Sequence, residues 1–191
     1  MKSRFCFGLV CLMLLAFLPC LLSAQQSNRY RNKDHAFRIT FPDNWTVRPG
    51  YGPNAVVNAG NSEGSSISVI VKVMPKELAK YDLNDMSDVD LYQHITDSVN
   101  GMRQVYPDAK LIDRGITHLS NKRAVWFQVS STMRHIGGPM KAIMLQVQAI
   151  NKGKVFIITC GSPSDSYHEL HPVFMESLAS FFFEDKAWYR K

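Results

Sequence analysis

The sequence predicts an α+β domain in which two amphipathic helices are laid on an antiparallel sheet. Three observations lead to this prediction. Short segments alternate apolar and polar residues along much of the chain, two other segments repeat apolar residues every three or four positions, and short turns connect the later strands. Strands joined by short turns must run antiparallel, so the later strands form a meander.

The first half of the chain supplies four predicted strands. Residues 36–41 alternate apolar and polar side chains, and a turn at Pro42 leads into a short strand at 45–47. Two further strands are predicted at 55–58 and 67–73.

Two helices are marked by residues that favour a helix N-terminus. Ser87 followed by Asp90 has the spacing of a capping box, and Ser166 followed by Glu169 repeats it. Each signal precedes one apolar stripe, which predicts a helix that buries one face. The stripes are Leu91, Ile95, Val99 and Met102 in the first helix, and Leu170, Phe174, Leu178 and Phe181 in the second.

The meander lies between the helices. Its strands are predicted at 111–119, 124–133, 141–150 and 155–160. The last strand is the most continuously apolar, which favours a central position in the sheet.

The N-terminus predicts export. A short basic start precedes an apolar run at residues 5–22, and small residues follow up to Ala24. This order is typical of a signal peptide at 1–24, so we expect a periplasmic or secreted protein. The run is also long enough to remain as an uncleaved membrane anchor, which is the alternative.

The mature chain would hold one domain. We expect a flexible N-terminal segment at 25–35, a single domain at 36–185 and a basic tail at 186–191. Loss of residues 1–24 leaves 20 basic and 16 acidic residues. This mild positive charge is compatible with weak association with a membrane surface, whereas the lack of interleaved aromatic and basic residues argues against nucleic acid.

Candidate chemistry is sparse. Cys160 is the single cysteine beyond the signal and has the sequence context of a buried apolar residue. His168 and His171 are three residues apart on a helix and are weak candidates for a metal site, although a third ligand would have to come from His94, His118 or Asp165 by tertiary approach. The sequence has no nucleophile elbow and no phosphate-binding loop, and it predicts neither a catalytic residue nor a cofactor.

Two loops are candidates for binding a partner, because exposed loops often carry contacts. Tyr51 lies in a loop rich in proline and glycine, and Arg134 and His135 lie at the tip of the predicted hairpin near Gly137.

Three segments resemble PsbP-like and DcrB-like domains. They are the strand, proline and tryptophan at 37–45, the last strand at 153–159 and the closing helix at 167–181. The resemblance spans 36–183. It implies an α+β fold with an antiparallel sheet of about six strands sandwiched by helices. It also implies a noncatalytic role, in this case that of an exported accessory protein that binds a protein or envelope partner. A metal-binding protein or hydrolase that uses His168 and His171 is the alternative.

Overall fold

Ten strands and two α-helices make up the part of the chain that the computed structural model describes, residues 28–135 and 138–184. The predicted signal peptide or anchor, residues 25–27 and the basic tail lie outside the described residues. The strands are β1 Asn28–Asn32, β2 Phe37–Phe41, β3 Thr46–Pro49, β4 Ala55–Gly60, β5 Ser66–Val73, β6 Lys110–Leu119, β7 Lys122–His135, β8 Gly138–Asn151, β9 Lys154–Pro163 and β10 Phe182–Phe183, and the helices are α1 Asp88–Arg103 and α2 Tyr167–Ala179.

The main sheet has seven antiparallel strands in the order β3-β4-β5-β9-β8-β7-β6, one more than the six expected. The meander from β6 to β9 is confirmed, and β9 lies in the middle between β5 and β8. The tight turn before β9 uses Lys152 and Gly153, both at positive φ (51° and 70°), which is the geometry of a two-residue hairpin turn.

A second sheet contains β1, β2 and β10. The prediction of a flexible segment at 25–35 is wrong for residues 28–32, because they pair with β2 along its whole length. The side-chain amide of Asn28 lies 2.7–3.0 Å from the carbonyl oxygens of Pro42, Asp43 and Trp45. A polar strand is thus held by hydrogen bonds that composition does not reveal.

Helix α1 covers one face of the main sheet, over β6 and β7. Ser87 is its N-cap as predicted, since the Ser87 hydroxyl accepts from the Asp90 backbone N–H at 3.2 Å and donates to the Asp90 carboxylate at 2.7 Å. This side of the sheet forms one apolar cluster, whose buried members are Leu83, Leu91, Ile95, Val99, Ala109, Val125, Phe127, Val129 and Ile150.

Helix α2 and the small sheet cover the opposite face. Phe174 of α2 is fully buried, with ring centroids 6.2 Å from Trp45 and 6.0 Å from Tyr167. Ser166 is the N-cap residue as predicted, but its side chain makes no cap bond, so the predicted capping box does not form. The residue already has a helical backbone conformation, and its hydroxyl donates to the Pro163 carbonyl oxygen at 3.4 Å. The helix is therefore placed by the packing of its apolar stripe.

The contribution of this packing is measurable. We expect Phe174→Ala to lower the free energy of unfolding by about 3–5 kcal/mol, because a large buried side chain is lost. Met175→Ala, at a neighbouring position that is 47% exposed, should change it by less than about 1 kcal/mol. Denaturant unfolding followed by circular dichroism compares the two variants, and equal losses would contradict the assigned role of Phe174.

Candidate functional site

A cleft of about 660 Å³ lies between helix α2 and the edge strand β6. We call it the α2–β6 cleft. Strands β7 and β8 form its floor, so four elements that are distant in sequence build it. Its size is within the range of small-molecule and peptide sites. It is lined by Asp113, Thr117, His118, Leu119, Ser120, Trp126, Gln128, Leu145, Val147, His171, Met175, Leu178 and Ala179.

A glycine shapes the floor of the cleft. Gly115 of β6 pairs with Trp126 of β7, and a Cβ atom at Gly115 would lie 2.7 Å from the indole Nε1 of Trp126. No side chain fits in that space, so the indole lies across β6 and forms part of the cleft wall.

One end of the cleft is polar. Asp113 pairs with Gln128 across the β6–β7 ladder, and His171 of α2 lines the same cleft. The His171 ring packs against Tyr167, with centroids 5.7 Å apart. The other end, at Leu119 and Leu178, is apolar, so the cleft has an amphipathic lining.

A buried phenol lies behind the polar end. The hydroxyl of Tyr167 is buried and makes no hydrogen bond within the described part of the chain. Burial raises the pKa of Tyr167 to about 12, the nearby Cys160 adds to the rise, and the Gln128 side chain opposes it without reaching hydrogen-bond geometry. Burial also raises the pKa of the Cys160 thiol. Both groups stay protonated at neutral pH, and Cys160 is packed as an apolar residue, as its sequence context predicts.

A second cleft, of about 670 Å³, lies on the other side of α2, against the turn between β2 and β3. Trp45, Leu170, Val173 and Glu176 line it. Helix α2 therefore separates two clefts, and only the α2–β6 cleft contains histidine.

Comparison with known proteins assigns the family. The sequence profile of the PsbP family matches residues 25–183, most of the chain. The chain belongs to the PsbP family. The resemblance inferred from the sequence is thereby confirmed.

Solved structures of PsbP-like proteins share the fold. The solution structure of cyanobacterial PsbP (CyanoP) from Synechocystis sp. PCC 6803 is similar with a TM-score of 0.60 and 17% identity, over 81% of this chain and 91% of that chain. The crystal structure of LpqN, described as involved in cell envelope biogenesis of Mycobacterium tuberculosis, is similar with a TM-score of 0.50 and 12% identity, over 84% and 91%. A search of curated protein sequences finds no significant match.

The predicted histidine pair is divided in this PsbP-family domain. His171 lines the α2–β6 cleft, whereas His168 is exposed in the first turn of α2 and is not part of the lining. His118 of the edge strand β6 lines the same cleft as His171. Among residues 28–135 and 138–184, no group of three or more His, Cys, Asp or Glu side chains is placed to hold a metal ion.

The predicted partner residues lie at opposite ends of the sheet. Tyr51 is fully exposed in the loop between β3 and β4. Arg134 is exposed near the tip of the β7–β8 hairpin, where the backbone of His135 pairs with Gly138. The side chain of His135 and residue Gly137 lie outside what the structure describes. Tyr51 and Arg134 therefore do not form one surface.

Sequence reasoning missed the floor and walls of the cleft. Trp126, Gln128 and Met175 are ordinary strand and helix residues in the sequence, and only tertiary packing brings them together. Gly115 was the available signal, since an isolated glycine inside a strand pattern often marks a close approach of another group.

The close approach at Gly115 gives a testable expectation. Gly115→Ala should displace the Trp126 indole and destabilise the fold by roughly 1–3 kcal/mol, because the added methyl overlaps the ring. Denaturant unfolding and the indole N–H resonance of Trp126 report the two effects.

Gly101 provides the matched control. A Cβ there meets nothing within 4 Å and the residue lies inside α1, so Gly101→Ala should stabilise by about 0.5–1 kcal/mol. An unshifted Trp126 resonance in Gly115→Ala would refute the proposed contact.

Proposed function

We propose that this chain is an exported, noncatalytic PsbP-family protein that binds a protein or envelope partner through the end of its β7–β8 hairpin. The observation that carries the proposal is the length of that hairpin. Strand β6 pairs with β7 only as far as Ser130, and β9 pairs with β8 only as far as Ala142. Residues 132–135 and 138–141 therefore continue beyond the sheet as a two-stranded arm.

The arm has two different faces. Met133 and Met140 are directly paired and half-buried on one face. The other face carries Arg134 and Lys141, both exposed and neither in an ion pair with a described residue. The arm therefore combines flexible methionine side chains with positive charges that have no ion-pair partner among the described residues. This combination suits binding to an anionic or amphipathic partner surface.

The base of the arm is fixed. Both carboxylate oxygens of Asp108 accept the Thr132 backbone N–H, at 3.1 and 2.9 Å. Hydrogen bonds from the side chain and backbone of Thr132 lower the pKa of Asp108. The carboxylate stays ionised at neutral pH and holds the arm in place. A preorganised arm loses less entropy when it binds.

Other observations support the location and the accessory role. LpqN, which shares the fold, is described as involved in cell envelope biogenesis. The basic, apolar and small-residue order of 1–24 supports export. Among the described residues, no helix has the length and apolar composition needed to cross a bilayer.

The arm can be tested by photocrosslinking in the native host. A photoreactive amino acid at Arg134 should capture a discrete partner, whereas the same group at Val89, which is 78% exposed on α1, should not. Reversing both cations with Arg134→Glu and Lys141→Glu should weaken binding of the captured partner about tenfold. Equal capture from both positions would count against the arm.

A metal-binding protein is the second candidate, because His118 and His171 line one cleft. Two histidines make a weak site, and a protein that binds zinc at that site would melt at a higher temperature when zinc is added. We expect added zinc to leave the melting temperature of the purified protein unchanged. Added zinc should likewise have no effect on the melting temperatures of the His171→Ala and His168→Ala variants. A zinc-dependent rise that His171→Ala removes would favour the metal-binding candidate.

A further inference from the structure

We propose that the α2–β6 cleft binds a small organic amine, in which a short alkyl link joins an ammonium group to an aromatic ring. This site is separate from the β7–β8 arm and goes beyond the proposed function. Three features of the cleft support the assignment: a carboxylate that no described cation neutralises, an indole ring close to it, and a buried phenol without a hydrogen-bond partner in the described part of the chain.

Asp113 gives the cleft a negative charge. The described lining contains this one carboxylate and neither lysine nor arginine, although the chain as a whole has 22 basic and 16 acidic residues. The Asp113 carboxylate accepts the backbone N–H of Arg114 at 2.8 Å and forms no ion pair with a described residue. In this basic protein the cleft is therefore complementary to a cation.

The cations nearest to Asp113 in the sequence do not fill the cleft. The Arg114 side chain lies on the opposite face of the sheet, where its guanidinium carbon is 5.0 Å from the centroid of the Tyr92 ring and a guanidinium nitrogen is 3.3 Å from the Thr96 hydroxyl. Lys110 does not line the cleft and forms no ion pair with Asp113. The space beside the carboxylate is thus left to a ligand.

An aromatic surface lies close to the carboxylate. Gly115 follows Asp113 by two residues on the same face of β6, and the Trp126 indole lies over this glycine. The two positions on β6 are about 7 Å apart, the rise of two residues in a strand. An ammonium group bound to Asp113 can therefore carry an aromatic ring that packs on Trp126 and Met175, both of which line the cleft.

A buried phenol lies next to the polar end. One row of paired residues crosses the sheet there: Asp113, Gln128, Leu145 and Cys160. The Tyr167 hydroxyl lies close to Gln128 and Cys160 and makes no hydrogen bond within the described part of the chain, which is unfavourable for a buried polar group. When the ligand ammonium donates to the carbonyl oxygen of Gln128, the amide N–H of the same side chain is free to donate to the phenol oxygen. Binding of an amine thus provides partners for both groups.

NMR titration of the purified protein tests this site. The probe is phenethylammonium, and phenethyl alcohol and hydrocinnamate are the neutral and anionic compounds of matched shape. We expect phenethylammonium to shift the indole N–H resonance of Trp126 in a saturable way. It should bind at least about tenfold more tightly than either matched compound, because only the ammonium group makes charge-assisted hydrogen bonds to Asp113.

Two variants that remove the same charge distinguish the site from the overall charge of the protein. Asp113→Asn should weaken binding of phenethylammonium about tenfold, whereas Asp97→Asn, on helix α1 at the opposite face, should leave it unchanged. Both carboxylates are exposed, so both variants should remain folded, and circular dichroism checks this.

Three results would each overturn the amine site. They are equal affinities for phenethylammonium and phenethyl alcohol, unchanged affinity in Asp113→Asn, and no saturable shift of the Trp126 resonance with millimolar phenethylammonium. A saturable shift at Trp45 alone would also overturn it, since Trp45 lines the cleft on the other side of α2. None of these results changes the crosslinking expected at the arm, so the two proposals can fail separately.

Discussion

The packing of helix α2 against the main sheet is the constraint on which the other features depend. Phe174 is buried between Trp45 and Tyr167, and this contact fixes the helix without a side-chain cap at Ser166. Once α2 is placed there, it separates two clefts, buries the phenol of Tyr167 and sends the chain through Phe183 into the small sheet. The packing that stabilises the fold thus determines where the two clefts lie.

The small sheet is the second consequence. Strand β10 is only two residues long, yet its Phe183 side chain joins Phe37, Phe156 and Phe181 in one cluster with centroid distances of 4.9–6.2 Å. Burial of this cluster ties both ends of the described chain to the same face. Asn28, at the start of β1, lies against the turn that follows β2, whereas Glu184 is hydrogen-bonded to Ala36 and Arg31 at the opposite end of the small sheet.

Much of the fold followed from local patterns. The sequence predicted the alternating pattern of β5 to β9 and the apolar stripes of the helices because each of these elements buries a single face. It predicted the cap at Ser87 from the spacing between Ser87 and Asp90. Strand β1 could not be predicted from the sequence, because it is held by hydrogen bonds to carbonyl oxygens around Pro42 and by contacts with the aromatic side chains of β2. All seven strands of the main sheet were predicted one by one, but the division of the strands between two sheets was not, because pairing between distant strands leaves no local trace.

The sequence by itself determined the secondary structure of the core, the α+β class, the PsbP-like resemblance and the buried state of Cys160, because periodicity and composition encode which face avoids water. Only the tertiary structure decided that His171 and His118, but not His168, line one cleft, that Gly115 leaves room for Trp126, and that Tyr51 and Arg134 lie at opposite ends of the sheet. These relations join residues from separate strands and helices, and the distance between such residues depends on packing that no local pattern specifies.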